Sequence, residues 1–217
     1  MSVKERFLYR MKRTEPVICR LKLAVLALMA SLVLPSHLVA QSAEETKLIA
    51  RAEQAITELT TLQAKFIQIS SDGTVGEGQV YFRRPFQLRL DYTNPETLTI
   101  VTGRFWVYID DKIAQTVEAY PVSETPFAPL LAKTVSFRSK EIITEAQADG
   151  GIVTVQMEKD TGQGAGRLAL EFEKSSWQLR RWIITDSLGV TTTVTLQNPV
   201  YGPKLANRLF GAPSYEN

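Results

Sequence analysis

Cys19 and His37 are the only thiol and the only imidazole in the 217 residues. Both lie in a segment built for targeting. Met1 to Lys22 is rich in Lys and Arg, Leu23 to Leu34 is apolar apart from Ser31, and Pro35-Ser36 breaks the run. Leu38-Val39-Ala40 then offers a small residue for cleavage. That order is the pattern of a secretory signal peptide. The apolar run is shorter than the roughly 20 residues of a spanning helix, although an uncleaved anchor is the alternative. With residues 1–40 assigned to a signal peptide, residues 41–217 carry no Cys and no His. Ser-His and Cys-His nucleophilic arrangements are then excluded, as are zinc sites built on His or Cys. No metal and no cofactor are expected.

What remains for chemistry is carboxylates and guanidinium groups. Asp110-Asp111 is the best carboxylate pair, suited in principle to glycoside hydrolysis, but adjacent Asp residues in a turn are ordinarily solvated. Gly162-Gln163-Gly164-Ala165-Gly166 is rich in glycine, yet no helical pattern or basic residue suited to phosphate follows it, so a hairpin turn is expected. No catalytic residue is assigned, and the chain is expected to bind rather than catalyse. Removing residues 1–40 takes seven Lys and Arg from 25 and two Asp and Glu from 23, which turns a net charge of +2 into −3. The basic character therefore belongs to the targeting segment, and no nucleic-acid partner is expected.

The cation that stands out is Arg84. From Gly78 to Tyr92 two alternating patterns meet: Val80 and Phe82 in the first, Leu88, Leu90 and Tyr92 in the second. A period of two argues for half-buried antiparallel strands. Pro85 cannot donate to a ladder and marks a strand edge or start, so Arg84 sits where one strand stops and its partner begins. Arg83 alternates with Phe82 and should face outward.

The elements that must position Arg84 follow in order. Ser42 to Leu62 has helical spacing in Leu48, Ile49, Ala52, Ile56, Leu59 and Leu62, with Ser42 and Glu45 as a capping box. Beyond Leu62 the period changes to two. Asp72-Gly73 marks a hairpin, Asn94-Pro95 ends the strand after Arg84, and Asp110-Asp111 joins another pair. The alternation stops at Tyr120-Pro121. Thr125 to Ala132 is a short apolar helix with Pro in its first turn, dense enough in apolar residues to be a flap. Val135 to Phe137 is expected to pair briefly, and five more strands follow between Ile142 and Leu196, closed by Asn198-Pro199. Leu205, Leu209 and Phe210 are anchors for the tail. Roughly eleven strands with regular turns make a mainly β meandering antiparallel sheet, a barrel or half-barrel, and residues 41–217 are read as one domain.

These motifs, taken together, resemble the outer-membrane lipoprotein carrier family, LolA. The resemblance rests on Phe66-Ile67-Gln68, Gly76 and Gly78, Arg84-Pro85 with the alternation ending at Tyr92, and Gly103-Arg104-Phe105-Trp106-Val107-Tyr108. Thr125-Pro126-Phe127 and Leu130-Leu131-Ala132 complete it. Leu90 stands where an aromatic residue is common in that family. The resemblance implies an unclosed half-barrel with a helical lid, whose latch is Arg84 with Pro85 and whose lid residues are Phe127, Leu130 and Leu131. Val80, Phe82, Leu88, Leu90, Tyr92, Trp106 and Leu170 are expected to line an acyl-chain cavity or, on the plainer reading, a packed core. It implies a periplasmic monomer that takes acylated lipoproteins from an inner-membrane ABC exporter to an outer-membrane acceptor of the LolB kind. The alternatives are an envelope stress-sensor domain on the same fold and a carboxylate-based hydrolase.

Overall fold

Apolar and polar residues alternate from Leu62 to Tyr120 and again beyond Ile142, and the strands of both stretches pair into one sheet. The computed structural model describes residues 42–139, 142–160 and 165–213. The expected signal peptide, residues 1–40, lies outside them, as do Gly162, Gln163 and Gly164. Helix α1 spans Ala43–Glu58. Strands β1 (Thr61–Ser70), β2 (Val75–Arg83), β3 (Gln87–Asn94), β4 (Leu98–Thr102), β5 (Trp106–Asp111) and β6 (Thr116–Pro121) follow. A 3₁₀ turn at Val122–Glu124 leads into helix α2, Ala128–Leu131. Strands β7 (Ile142–Asp149), β8 (Ile152–Asp160), β9 (Ala165–Glu173), β10 (Leu179–Thr185) and β11 (Thr191–Tyr201) complete the sheet.

The strand order is β6-β5-β4-β3-β2-β1-β11-β10-β9-β8-β7, antiparallel throughout. Two meanders are thus joined at the centre by β1 and β11, and among the described residues β6 and β7 are the two outermost strands. The sheet does not close. Helix α1 covers the β7 side, packing on β7 and β8. Ser42 caps it, with Oγ accepting the Glu45 N–H at 3.0 Å. The Glu45 carboxylate, expected to complete a capping box, instead accepts the Ala146 N–H of β7 at 3.1 Å. A helix carboxylate therefore satisfies a donor on an exposed sheet edge, one way of blunting such an edge.

The helix ends four residues before the predicted Leu62. The apolar spacing misleads here because Leu62 faces the same core from the start of β1. Pro199 does not close β11. The register of β1 and β11 shifts between Gln63 and Lys65, and this irregularity accommodates a proline that cannot donate to the ladder. Val135 to Phe137 forms no strand. Gly78 is required by close approach: a Cβ there would lie 2.0 Å from the Asp91 carbonyl oxygen, at the register shift between β2 and β3.

One face of the sheet carries the core. Phe66, Val80, Phe82, Leu88, Leu90, Tyr92, Val155, Leu168, Leu170, Phe172, Trp182, Val194 and Leu196 form a single buried cluster with the inner side of α1 and with α2. The opposite face of β2 and β3 holds the C-terminal tail. Phe210, in a 3₁₀ turn at Asn207–Phe210, is buried. Arg83 faces outward and its guanidinium lies 4.5 Å from the Phe210 ring centre. It donates to Asn207 Oδ1 at 2.9 Å and to the Leu205 carbonyl at 3.3 Å. Arg89 donates to the Leu209 carbonyl at 3.0 Å.

Candidate functional site

Arg84 and α2 meet at the rim of the sheet. Helix α2 is a single turn, so its C-terminal carbonyls have no partners within it. Arg84 supplies them: Nη1 donates to the Leu130 carbonyl at 3.2 Å, and Nη2 to the carbonyls of Ala132 at 2.8 Å and Lys133 at 3.1 Å. The Phe86 N–H donates to the Leu131 carbonyl at 2.9 Å. Four successive carbonyls are thus held by one guanidinium and one amide from the β2–β3 turn. The turn is itself fixed. Thr102 Oγ1 donates to the Phe86 carbonyl and accepts the Leu88 N–H, both at 2.8 Å. The Arg84 N–H donates to the Thr60 carbonyl at 2.9 Å. Pro85 follows Arg84 through a cis peptide bond. Burial pulls the Arg84 pKa below the ordinary guanidinium value.

The lid's apolar side chains point into the core. Leu130 and Leu131 are each 1% exposed, and Phe127 is buried with its ring 5.7 Å from that of Trp182 in an edge-on contact. Past the lid, Phe137 is fully buried and its N–H donates to Glu53 Oε1 on α1 at 2.8 Å. Tyr92 packs edge-on against Phe66 at 5.1 Å and donates to Gln68 Oε1 at 2.7 Å. Burial pushes its pKa up to about 12.

The structure gathers Val80, Phe82, Leu88, Leu90, Tyr92 and Leu170 into the cluster that Phe127, Leu130 and Leu131 cover. These residues are buried against one another beneath the lid, the arrangement of the plainer reading. Trp106 departs from the expectation. It is 45% exposed, and it lies on the outer face because Val107 and Ile109, opposite Thr102 and Ile100, take the inner positions. The Trp-x-Tyr pattern indicated a strand but not which face Trp106 would take. Asp110 and Asp111 are neighbours in β5 and point to opposite faces, so they do not converge. Asp111 Oδ1 accepts the N–H groups of Ile113 and Ala114 at 2.9 and 3.0 Å, as a turn residue does.

Sequence reasoning missed Phe86, Glu53, Phe137 and Trp182. Trp182 alternates with Arg181 and Ile183, a signal that was available. Phe137 lies in irregular chain, where the sequence pointed to a short strand instead. Among the described residues no cluster of His, Cys, Asp and Glu suits a metal ion, and no helix is long and apolar enough to cross a membrane.

An unclosed antiparallel sheet whose apolar inner face is shut by a short helix, with one arginine holding that helix, defines a class of lidded half-barrel proteins. The sequence model described as outer membrane lipoprotein carrier protein LolA matches residues 57–212, and the chain belongs to that family. A search of curated protein sequences found no match. Among solved structures the chain is similar to a putative outer membrane lipoprotein-sorting protein domain from Vibrio parahaemolyticus, with 8% identity, 77% of this chain and 96% of that chain covered, and a TM-score of 0.47. It is also similar to a LolA superfamily protein from Nitrosomonas europaea, with 10% identity, 77% and 97% coverage, and a TM-score of 0.44. A third similar structure is an uncharacterized conserved protein from Thermus thermophilus, with 13% identity, 77% and 93% coverage, and a TM-score of 0.47.

Proposed function

We propose that this protein is a periplasmic carrier of acylated lipoproteins. It takes them from an inner-membrane ABC exporter and passes them to the outer membrane, through a LolB-like acceptor where one exists. The observation that carries this reading is the grip of Arg84 on the carbonyls of Leu130, Ala132 and Lys133. It closes a lid over an apolar face that lifting the lid would expose to a hydrocarbon chain. A carrier must both hold and release. Three lid side chains gain about 1.5–3 kcal/mol each when buried, or about 5–9 kcal/mol together. An acyl chain of about 15 methylenes gains about 12 kcal/mol at about 0.8 per group. Lid and cargo are therefore comparable competitors for the same face. The arginine latch adds a modest increment to the lid's side and favours release.

Residues 1–40 serve as the signal peptide, residues 41–217 as the working domain, and the protein acts by binding rather than catalysis. The divergence of Asp110 and Asp111 supports this over a hydrolase. Hand-off from purified protein tests the proposal. Arg84→Leu is expected to accept a lipoprotein and to pass it to acceptor membranes poorly. Unchanged transfer would remove Arg84 from the mechanism, and failure of the wild-type protein to take up acylated lipoprotein would end the carrier reading.

A further inference from the structure

Beside the lid lies a second feature, built around an arginine that the latch does not use. A cleft of about 210 Å³ opens between the lid and the start of β5. Phe86, Phe105, Val122 and Leu131 form apolar walls, and Arg104 and Ser123 are its polar lining. The Arg104 guanidinium stands 5.7 Å from the Phe86 ring centre and 5.1 Å from that of Phe105. Among the described residues no carboxylate or carbonyl accepts a hydrogen bond from it. Arg84, by contrast, is committed to three lid carbonyls. The aromatic faces orient the Arg104 cation while its planar set of donors stays available. Such a group suits a carboxylate or phosphate, which it can meet with two parallel charge-assisted bonds.

The position matters as much as the charge. Leu131 and Val122 line the cleft and also belong to the buried core cluster. The cleft and the apolar face thus share Leu131 of the lid and Val122 of the turn before it. When the lid lifts, the cleft becomes continuous with the space that it vacates. We propose that Arg104 is a headgroup site: it binds the anionic group of an acyl-bearing ligand whose chain passes under the lifted lid onto the inner face. This goes beyond the carrier reading, because a lipoprotein's acyl chains are attached through neutral ester and amide groups; the two share only the lid over an apolar face. The ligand class is an amphiphile with an anionic oxygen group next to its acyl chain, whether a fatty carboxylate or a lipid phosphate.

The test uses the purified mature protein and three probes: a fluorescent long-chain fatty acid, its neutral methyl ester, and lysophosphatidic acid as a displacing competitor. Wild type is expected to bind the acid more tightly than the ester. Arg104→Gln should weaken the acid by about 5- to 30-fold, the range for a charge-assisted bond at a partly solvated site, and leave the ester within about twofold. Arg104→Lys should retain part of the preference. Displacement by lysophosphatidic acid in wild type but not in Arg104→Gln identifies phosphate as an acceptable head; displacement in neither confines the site to carboxylates. Equal binding of acid and ester by wild type overturns the inference, as does an equal loss of both in Arg104→Gln with unchanged thermal stability. If neither probe binds, even to Arg84→Leu, the headgroup site is overturned, while the carrier reading is decided separately by uptake of acylated lipoprotein.

Discussion

Replacing Arg84 by Leu should loosen the lid without unfolding the sheet. The substitution removes the donors that meet the carbonyls of Leu130, Ala132 and Lys133 at 3.2, 2.8 and 3.1 Å. Hydrogen bonds from charged groups contribute about 1.5–3 kcal/mol each when buried. Arg84 is only partly buried, however, and water at the rim replaces some of what is lost, so the latch as a whole is worth about 1–3 kcal/mol. At about 1.4 kcal/mol per tenfold, the open-lid population should rise by about 5- to 100-fold. Hydrogen exchange reads this directly. The Phe86 amide bonds the Leu131 carbonyl across to the lid, and the Ala132 amide bonds the Ala128 carbonyl within the lid's single helical turn, which is too short to persist once undocked, so both are protected only while the lid is down. Their exchange should accelerate by the same factor, while central amides of β1 and β11 keep their protection, since local opening leaves the sheet intact. Arg84→Lys should fall between, because one ammonium group cannot span three carbonyls as a planar guanidinium does. Unchanged exchange at Phe86 and Ala132 would refute the latch. Equal acceleration across the sheet would show instead that Arg84 supports the fold globally.

Phe127→Ala removes the lid's contact with Trp182 and should destabilise the protein by about 3–5 kcal/mol if the site cannot collapse, while raising affinity for an apolar fluorescent probe; denaturant titration and probe binding check both. Gly78→Ala places a Cβ 2.0 Å from the Asp91 carbonyl oxygen, and the forced shift of β2 against β3 should cost about 1–3 kcal/mol, visible as a lower melting temperature. Tyr92 has its folded pKa raised from 10.0 to about 12. The folded state therefore holds the phenolic proton longer than the unfolded chain, and the stability from neutral Tyr92 is full below about pH 10 and lost as pH rises towards 12. Unfolding measured between those pH values should lose that slope in Tyr92→Phe. Arg83→Ala frees the Leu205 carbonyl, Asn207 and the Phe210 ring at once, and limited proteolysis should then cut the tail near Phe210 before any strand.

Alternation, turn residues and proline placement made the strands, the flap and the position of Arg84 legible before any coordinates. Each of these is local physics: a side-chain period of two, a φ angle, a missing donor. Arg83 facing outward follows from the same alternation, because its neighbour Phe82 must go inward. The errors have the opposite character. Leu62 kept helical spacing because α1 and β1 bury residues on one shared core, and spacing alone does not separate two elements that face the same way. Trp106 alternates as well in either register, and only the pairing of Ile100 with Ile109 sends it outward. Pro199 looked like an end because a bulge is a property of two strands.

The sequence by itself determined that this is a long antiparallel sheet, that residues 41–217 lack thiol and imidazole, and that a cation sits at the bend between two inward-facing strands. Only the tertiary structure decided that this cation meets the carbonyls of Leu130, Ala132 and Lys133, some 46 to 49 residues further along the chain. It also decided that the Phe86 amide completes the grip, and that the inner-face side chains are buried against the lid. The reason is physical. Periodicity reports which way a side chain points, whereas a latch depends on which carbonyls another segment brings within about 3 Å, and that is set by how the whole sheet curls and where its lid comes to rest.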